Sequence, residues 1–292
     1  MIDALLERLR RYGALLGEPP AASPLDERDP PFIAREVDLV GGVLDAWFAP
    51  EVGGLENLPD GRALVVGTHN GGLMSPDMFS TMVAFWRRFG PERPSYGLAH
   101  DFVFRIPIAG RWIAKLGGVP AHPRNAAALL ERDAAVLVYP GGDRDAFKPY
   151  ARRHVVDFAG RMGFIRVALQ ARAPIVPVVS VGAHEGFYIV SDGRDLAESL
   201  GLAKRFRMDV LPIMLALPWG IAVGPAVPYL PFPTKVKVRV LPAIDLGLPP
   251  EAADDPEAVR TAHDRVRDSM QSALDTLVEE GGFGPSARLG AD

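Results

Sequence analysis

The chain has no cysteine among its 292 residues. That excludes disulfides, thiolate metal ligands and a cysteine nucleophile, and it fits a reducing compartment. Also missing is an uncharged apolar run of about 18 residues, the length a spanning helix needs. The nearest stretch, 210–232, is interrupted by Pro212, Pro218, Pro225, Pro228 and Pro231, too many for a continuous helix. The first residues, Met1-Ile2-Asp3-Ala4-Leu5-Leu6-Glu7-Arg8, lack the basic-then-apolar layout of a secretory signal, so a cytoplasmic protein is expected. Basic character is absent too: the formal net charge is −4, which argues against a nucleic-acid partner. There is no Gly-x-Ser-x-Gly elbow, which counts against a serine esterase. No metal-ligand spacing appears, so neither a metal nor a resident cofactor is expected.

What remains is an ordinary globular composition, 48% hydrophobic and 23% charged, in a chain long enough to bury a sizeable core. Residues 2–16 place Ile2, Leu5, Leu6, Leu9 and Leu16 opposite Arg8, Arg10 and Arg11, the pattern of an amphipathic helix. A proline-rich linker and a second helix, 32–48, complete an N-terminal segment, 1–50. Strands and helices then alternate through 51–280. Strands are predicted at 63–66, 95–99, 118–121, 134–139, 175–181, 221–228 and 236–241. Helices are predicted at 76–88, 108–116, 124–132 and 160–171, with a last one from Pro256 capped by Asp254 or Asp255. The alternation predicts an α/β layered domain. Residues 281–292 read as a disordered tail.

Four strand ends carry chemistry. The run Ala63–Val66 delivers His69, followed by Gly71 and Gly72 and by Ser75-Pro76-Asp77. Ser75 reads as an N-cap, with Pro76 and Asp77 in the first turn. A histidine at a strand tip facing an aspartate suits general-base chemistry, the carboxylate holding one ring nitrogen while the other takes a proton. A structural histidine and a dipole-favoured aspartate are the bland alternative. Tyr139-Pro140-Gly141-Gly142 ends another strand; its glycines bring backbone N–H groups close to an anion or simply make a turn, and no Gly-Lys-Ser/Thr follows to make a P-loop. Arg124 opens a helix after Gly117-Gly118-Val119-Pro120-Ala121-His122-Pro123, placed to fork onto phosphate or to sit in solvent. The strand Ile175–Val181 runs to His184 and Glu185.

In this order the four blocks resemble the glycerolipid (lysophospholipid) acyltransferase family, especially the branch related to type 2 diacylglycerol acyltransferases; the likeness spans about residues 52–245. The fold implied is a layered glycerolipid acyltransferase-like domain, a mixed central sheet flanked by helices, with N-terminal amphipathic helices. The resemblance implies His69 as general base, Asp77 as its orienting partner, and a fatty acyl group moved from acyl-CoA or acyl carrier protein to a lipid hydroxyl. It implies substrate binding by Arg124, Gly141, Gly142 and Arg144, and His184 and Glu185 join them as candidates. Two departures stand out. Seven residues separate His69 from Asp77 where the family has four, with Met74 in the expected aspartate position. Either the loop bulges to bring Asp77 round, or the histidine works without it. The family's Pro-Glu-Gly-Thr-Arg block reads Pro140-Gly141-Gly142-Asp143-Arg144 here, which points to a neutral acceptor while keeping an arginine in place. A hydrolase, or a lipid-binding protein with a decayed site, are the alternatives. Lipid substrates need an apolar approach, and 208–232, with Leu211, Ile213, Met214, Leu215, Leu217, Trp219, Tyr229 and Phe232, is expected to form a membrane-contacting lip on a peripheral enzyme of the inner face of the cell membrane.

Overall fold

The computed structural model describes residues 10, 12–15, 17, 21–69, 71–72, 75–202, 209–216, 219–224 and 230–283. Most of the N-terminal helix, the tail beyond 283 and parts of the expected lip lie outside them. Of that helix, residues 12–14 are helical, Leu15 is buried, and the Tyr12 hydroxyl donates to Glu36 Oε2 at 2.9 Å. None of the helices in the described residues is long and apolar enough to cross a membrane.

The element order is α1 (Pro30–Phe48), β1 (Glu51–Gly53), β2 (Ala63–Gly67), α2 (Pro76–Phe89), β3 (Ser95–Ala99), α3 (Ala109–Lys115), β4 (Gly118–Pro120), α4 (Pro123–Glu131), β5 (Ala135–Val138), α5 (Gly142–Ala146), α6 (Gly163–Gln170), β6 (Ile175–Val181), β7 (Tyr188–Ser191), α7 (Arg194–Ser199), β8 (Ile213–Ala216), β9 (Gly220–Val223), β10 (Lys237–Val240) and α8 (Pro256–Glu280). Ten strands form two sheets among the described residues. The larger runs β1-β10-β6-β2-β5-β3-β4 and the smaller β7-β8-β9. In the larger sheet β6, β2, β5, β3 and β4 are all parallel, β10 is antiparallel to β6, and β1 is parallel to β10.

This is the α/β fold the alternation predicts, with helices on both sides of the sheet, and the reason lies in the central strands. Residues of β2 alternate between two cores with the period of a pleat. Leu64 and Val66 join Leu129 of α4, Ile165 of α6 and Val259 and Val266 of α8. Ala63 and Val65 face Phe32, Ile33, Val83 and Trp86 of α1 and α2. All of β6 is buried, which is why it reads as an unbroken apolar run. Helix starts follow their caps. The Asp29 carboxylate accepts from the Phe32 N–H at 2.9 Å, and Asp255 accepts from the N–H groups of Glu257 and Ala258, contacts worth about 1 kcal/mol each.

Topology then places the site. The chain leaves β2 for β3 and β4, returns to β5 beside β2, and crosses to β6 on the other side. The carboxyl ends of β6, β2 and β5 therefore open together where the winding changes direction, the usual ligand position in such sheets. His184, His69 and Tyr139 follow those three ends.

Candidate active site

His69 stands two residues beyond β2, and its ring stacks on Tyr139 with centroids 4.2 Å apart and planes 17° from parallel. A side chain on Gly67 would drive a Cβ to 2.5 Å from the Tyr139 ring, so glycine there is what lets the two rings meet. The Ser75 hydroxyl lies 3.3 Å from His69 Nδ1 and donates its proton to the Gly72 carbonyl at 3.0 Å. With that proton committed, Ser75 Oγ accepts from Nδ1–H. The hydrogen-bond network thus assigns the tautomer whose Nε2 carries a free lone pair.

Here the structure departs from the expected His69–Asp77 pairing. Among the described residues the ring's hydrogen-bond partner is Ser75, while the buried Asp77 carboxylate receives the Ser180 hydroxyl at 3.5 Å. Asp77 connects instead to Tyr139. Its backbone carbonyl accepts from Thr81 Oγ1 at 2.8 Å, Thr81 bonds the Tyr139 side chain, and the Asp77 charge helps push the Tyr139 hydroxyl well above its ordinary range, after burial. Proline at 76 sets Asp77 into the first turn of α2, where its carboxylate is taken up by Ser180 of β6. Ser75 occupies the N-cap position but makes no capping bond, and its backbone is left-handed at φ 35°. A non-glycine residue held there is strained; its hydroxyl serves the histidine instead.

Below the ring lies a group that local sequence reading passes over. The His69 backbone N–H donates to Asp145 Oδ2, and Asp145 Oδ1 receives Lys148 Nζ at 2.7 Å. Both side chains are buried. Lys148 also donates to the Val155 carbonyl at 3.0 Å. Burial pushes the Asp145 carboxyl up, against the pull of Lys148 and of the His69 N–H. Burial first, and Lys148 second, push the His69 imidazole down to about 3, so the ring is neutral throughout the physiological range. His184, also pushed well down by burial and then by Lys148, is fully buried with neither ring nitrogen hydrogen-bonded among the described residues. Glu185 is engaged structurally, its Oε1 accepting from Arg153 Nε at 3.0 Å.

The remaining expected residues divide. Gly141 has no room for a Cβ, which would sit 2.7 Å from the Asp157 carbonyl oxygen and closer still to Asp145. Gly142 has φ 57°, and its missing side chain leaves space for Arg161, which donates to the carbonyls of Gly141 at 2.8 Å and Pro140 at 3.1 Å. The glycines shape the turn and admit Asp145 and Arg161. Arg144 Nε lies 3.3 Å from Asp209 Oδ2. Arg124 is exposed at the start of α4, where the His122 ring caps its N–H at 3.2 Å. Its strand, β4, is three strand spacings from β2, about 14 Å, so it is not gathered with His69. A cleft of about 590 Å³ between Glu51, Lys237 and Arg239 lies along the β1–β10 edge and is lined by none of these groups.

Asp145 and Lys148 are invisible to a local reading because the decisive bond joins residues 76 positions apart. A signal existed in the acidic residue three positions after the Gly-Gly pair and the lysine three after that, which is the spacing of one helical turn.

Residues 49–181 match the Acyltransferase family. An uncharacterized protein of Mycobacterium tuberculosis is 32% identical over 235 residues, 80% of this chain and 63% of that protein; the chain thus spans somewhat less than two thirds of that relative's length. The mouse protein named DGAT1/2-independent enzyme synthesizing storage lipids is 25% identical over 238 residues, 81% of this chain and 67% of that one. The crystal structure of the 1-acyl-sn-glycerophosphate (LPA) acyltransferase of Thermotoga maritima superposes with a TM-score of 0.52 at 18% identity, over 84% of this chain and 79% of the other, a likeness of fold. The segment that matches the Acyltransferase family runs from β1 to the end of β6 and contains His69, Ser75, Asp77 and the Asp145–Lys148 pair.

Proposed function

We propose that this protein transfers a fatty acyl group from an acyl thioester, on CoA or a carrier protein, to the hydroxyl of a glycerolipid or other lipid alcohol, with His69 as general base. The observation that carries the reading is the His69 ring at the tip of β2, with Nδ1 engaged by Ser75 and Nε2 left as proton acceptor. Nε2 takes the proton of the acceptor hydroxyl as its oxygen bonds to the thioester carbonyl carbon. The tetrahedral adduct then expels sulfur, and the imidazolium returns the proton to the thiolate, giving ester and thiol. A ring held as low as about 3 is a weak base but forms a strong acid, which suits protonation of the leaving group. Relatives named for storage-lipid synthesis and for acylation of a lysophospholipid support a lipid acceptor.

The test is acyl transfer from labelled acyl-CoA to a panel of lysophospholipids, monoacylglycerol, diacylglycerol and long-chain alcohols, comparing wild type with His69→Ala. Acceptor-dependent ester formed by wild type and reduced at least 100-fold in the variant, the low end for loss of a positioned base, supports the reading. Free fatty acid alone would assign a hydrolase; binding without turnover would assign a lipid carrier.

The acceptor's solubility implies a second element, peripheral attachment to the inner face of the membrane. The smaller sheet supports it. Tyr188, Leu215 and Ile221 form one cross-strand row, all exposed, with Val190, Val223 and Trp219 beside them. Of the expected lip, Leu215, Trp219 and Phe232 are exposed, whereas Met214 is fully buried against Phe147 and Phe187; Met208, Leu217 and Tyr229 lie outside the described residues. Trp219→Ser combined with Phe232→Ser is expected to lower liposome flotation at least tenfold with little change in thermal stability, since each aromatic group is worth about 1.5–3 kcal/mol when buried. Unchanged flotation would remove this face from membrane contact.

A further inference from the structure

The loop between β3 and α3 holds apolar side chains out of the core. Arg105, Ile106, Pro107 and Ile108 are exposed in succession, and Phe102 just before them is 51% exposed. This exposure is built into a tied backbone. A 3-10 turn spans Val103–Arg105. The Phe102 N–H donates to His100 Nδ1 at 3.1 Å, the Arg105 N–H to the Phe102 carbonyl at 3.1 Å, and the Gly110 N–H to the Ile106 carbonyl at 2.8 Å. At the tip the Ala109 N–H donates to the Pro107 carbonyl at 2.7 Å, which closes a γ-turn on Ile108. Its φ of 64° and ψ of −59° are the rare, strained form of that turn, a conformation glycine adopts at least cost. The chain carries a β-branched isoleucine there, 37% exposed. Neither core packing nor backbone comfort accounts for that choice; contact with an apolar surface does.

Topology sets this loop beside the mouth of the site. Strands β6, β2, β5 and β3 are parallel neighbours in that order. The loop after β3 and the smaller sheet after β6 therefore leave the same end of the larger sheet as His69. β3 lies two strand spacings from β2 on one side, about 10 Å, and β6 one spacing on the other, about 5 Å. We propose that loop 102–108 is a second membrane-inserting element, which together with the exposed face of the smaller sheet straddles the opening and turns His69 toward the bilayer. One apolar patch tethers a protein; two on opposite sides of the site also fix its orientation. The same placement favours a bilayer over a protein partner, because a protein bridging both patches would cover the opening, whereas a bilayer delivers the acceptor through it. Arg105, exposed and without an ion pair among the described residues, is placed to reach anionic headgroups while its neighbours enter the apolar layer. The loop lies outside all four sequence blocks. Choosing a bilayer as the occupant rests on the acyl-transfer reading; the apolar contact surface itself does not.

The experiment is flotation of the full chain with vesicles of phosphatidylcholine and phosphatidylglycerol, comparing wild type with Phe102→Ser/Ile106→Ser and with Ile108→Gly. The serine pair is expected to bind about tenfold less or weaker still. Ile108→Gly relieves the positive-φ strain, so its thermal midpoint is expected to hold while its binding falls about threefold. Phe102→Trp reads insertion directly and does not depend on the serine pair folding: vesicles with brominated acyl chains should quench its fluorescence beyond that of wild type. A wild type that does not float, loop variants that float as well as wild type, or no added quenching in bound Phe102→Trp overturns the proposal. A dimer that the serine pair converts to monomer, with flotation unchanged, assigns the loop to a second copy of the chain and overturns it too. Neither readout requires turnover. A chain that inserts the loop but transfers no acyl group contradicts only the proposed function, and one that transfers acyl groups with the loop left in water contradicts only this inference.

Discussion

The two sheets of this molecule use the same kind of residue for opposite ends. In the larger sheet the apolar side chains of β2 and β6 are buried on both faces, between α1 and α2 on one side and α4, α6 and α8 on the other. In the smaller sheet Ile189, Met214 and Ala222 pack on Phe147 and Phe187, while alternate positions stand in the open, Ile221 at 72% exposure. Both sheets read as near-continuous apolar runs. Such a run records that water is unwelcome on both faces, and leaves unsaid whether protein or lipid covers the second one.

Stability gives the largest contrast. Ile175→Ala, in the fully buried β6, is expected to cost about 2–5 kcal/mol. Ile221→Ser should stay within about 0.5 kcal/mol. Urea unfolding of both variants measures the difference, and equal losses would mean that the outer face of the smaller sheet is covered by protein.

Acid should separate the sheets as well. His69, His154 and His184 all have depressed affinity for protons, with burial the first cause of each. The unfolded chain therefore takes up protons near pH 6.5 that the native state refuses, and stability falls as pH drops below about 7, continuing toward 3 for His69. The slope is about 1.4 kcal/mol per pH unit for each histidine held neutral. Asp145, pushed upward, contributes in the opposite sense. The smaller sheet's strands contain neither histidine nor acid. Thermal midpoints between pH 7 and 5 should decline, and His184→Gln should flatten the decline by about one proton's worth. A flat wild-type profile would contradict the burial of these rings.

How much of this was legible in the sequence follows the same division. The strand Ile175–Val181 and the helix starts at Pro76 and Pro256 emerge as expected, because β-branched runs and proline after a capping residue are local signals. The β8–β9 hairpin leaves no such signal: the sequence between its strands has no Asn-Gly or Asp-Gly turn to announce it. At the site, a serine before proline reads as a cap, and only the folded loop turns its hydroxyl onto His69. Asp145 and Lys148 become functional candidates only once β5 lies beside β2. A subtler test therefore concerns Ser75. Ser75→Ala removes one neutral hydrogen bond, worth about 0.5–1.5 kcal/mol, and should lower kcat roughly 2- to 10-fold with KM little changed. A kcat equal to wild type would mean that Ser75 does not fix the tautomer.

The central claim is that a neutral imidazole at the end of β2, held as Nδ1–H, takes the acceptor's proton. The most direct measurement is kcat/KM for acyl transfer against pH, for wild type and His69→Ala, over the range in which the protein stays folded. The account predicts a wild-type rate that holds level from pH 8 to about 5, because a ring pushed down to about 3 remains unprotonated there, and a variant at least 100-fold slower throughout. A wild-type rate that halves near pH 6.5, or a variant that keeps the wild-type rate, would contradict it.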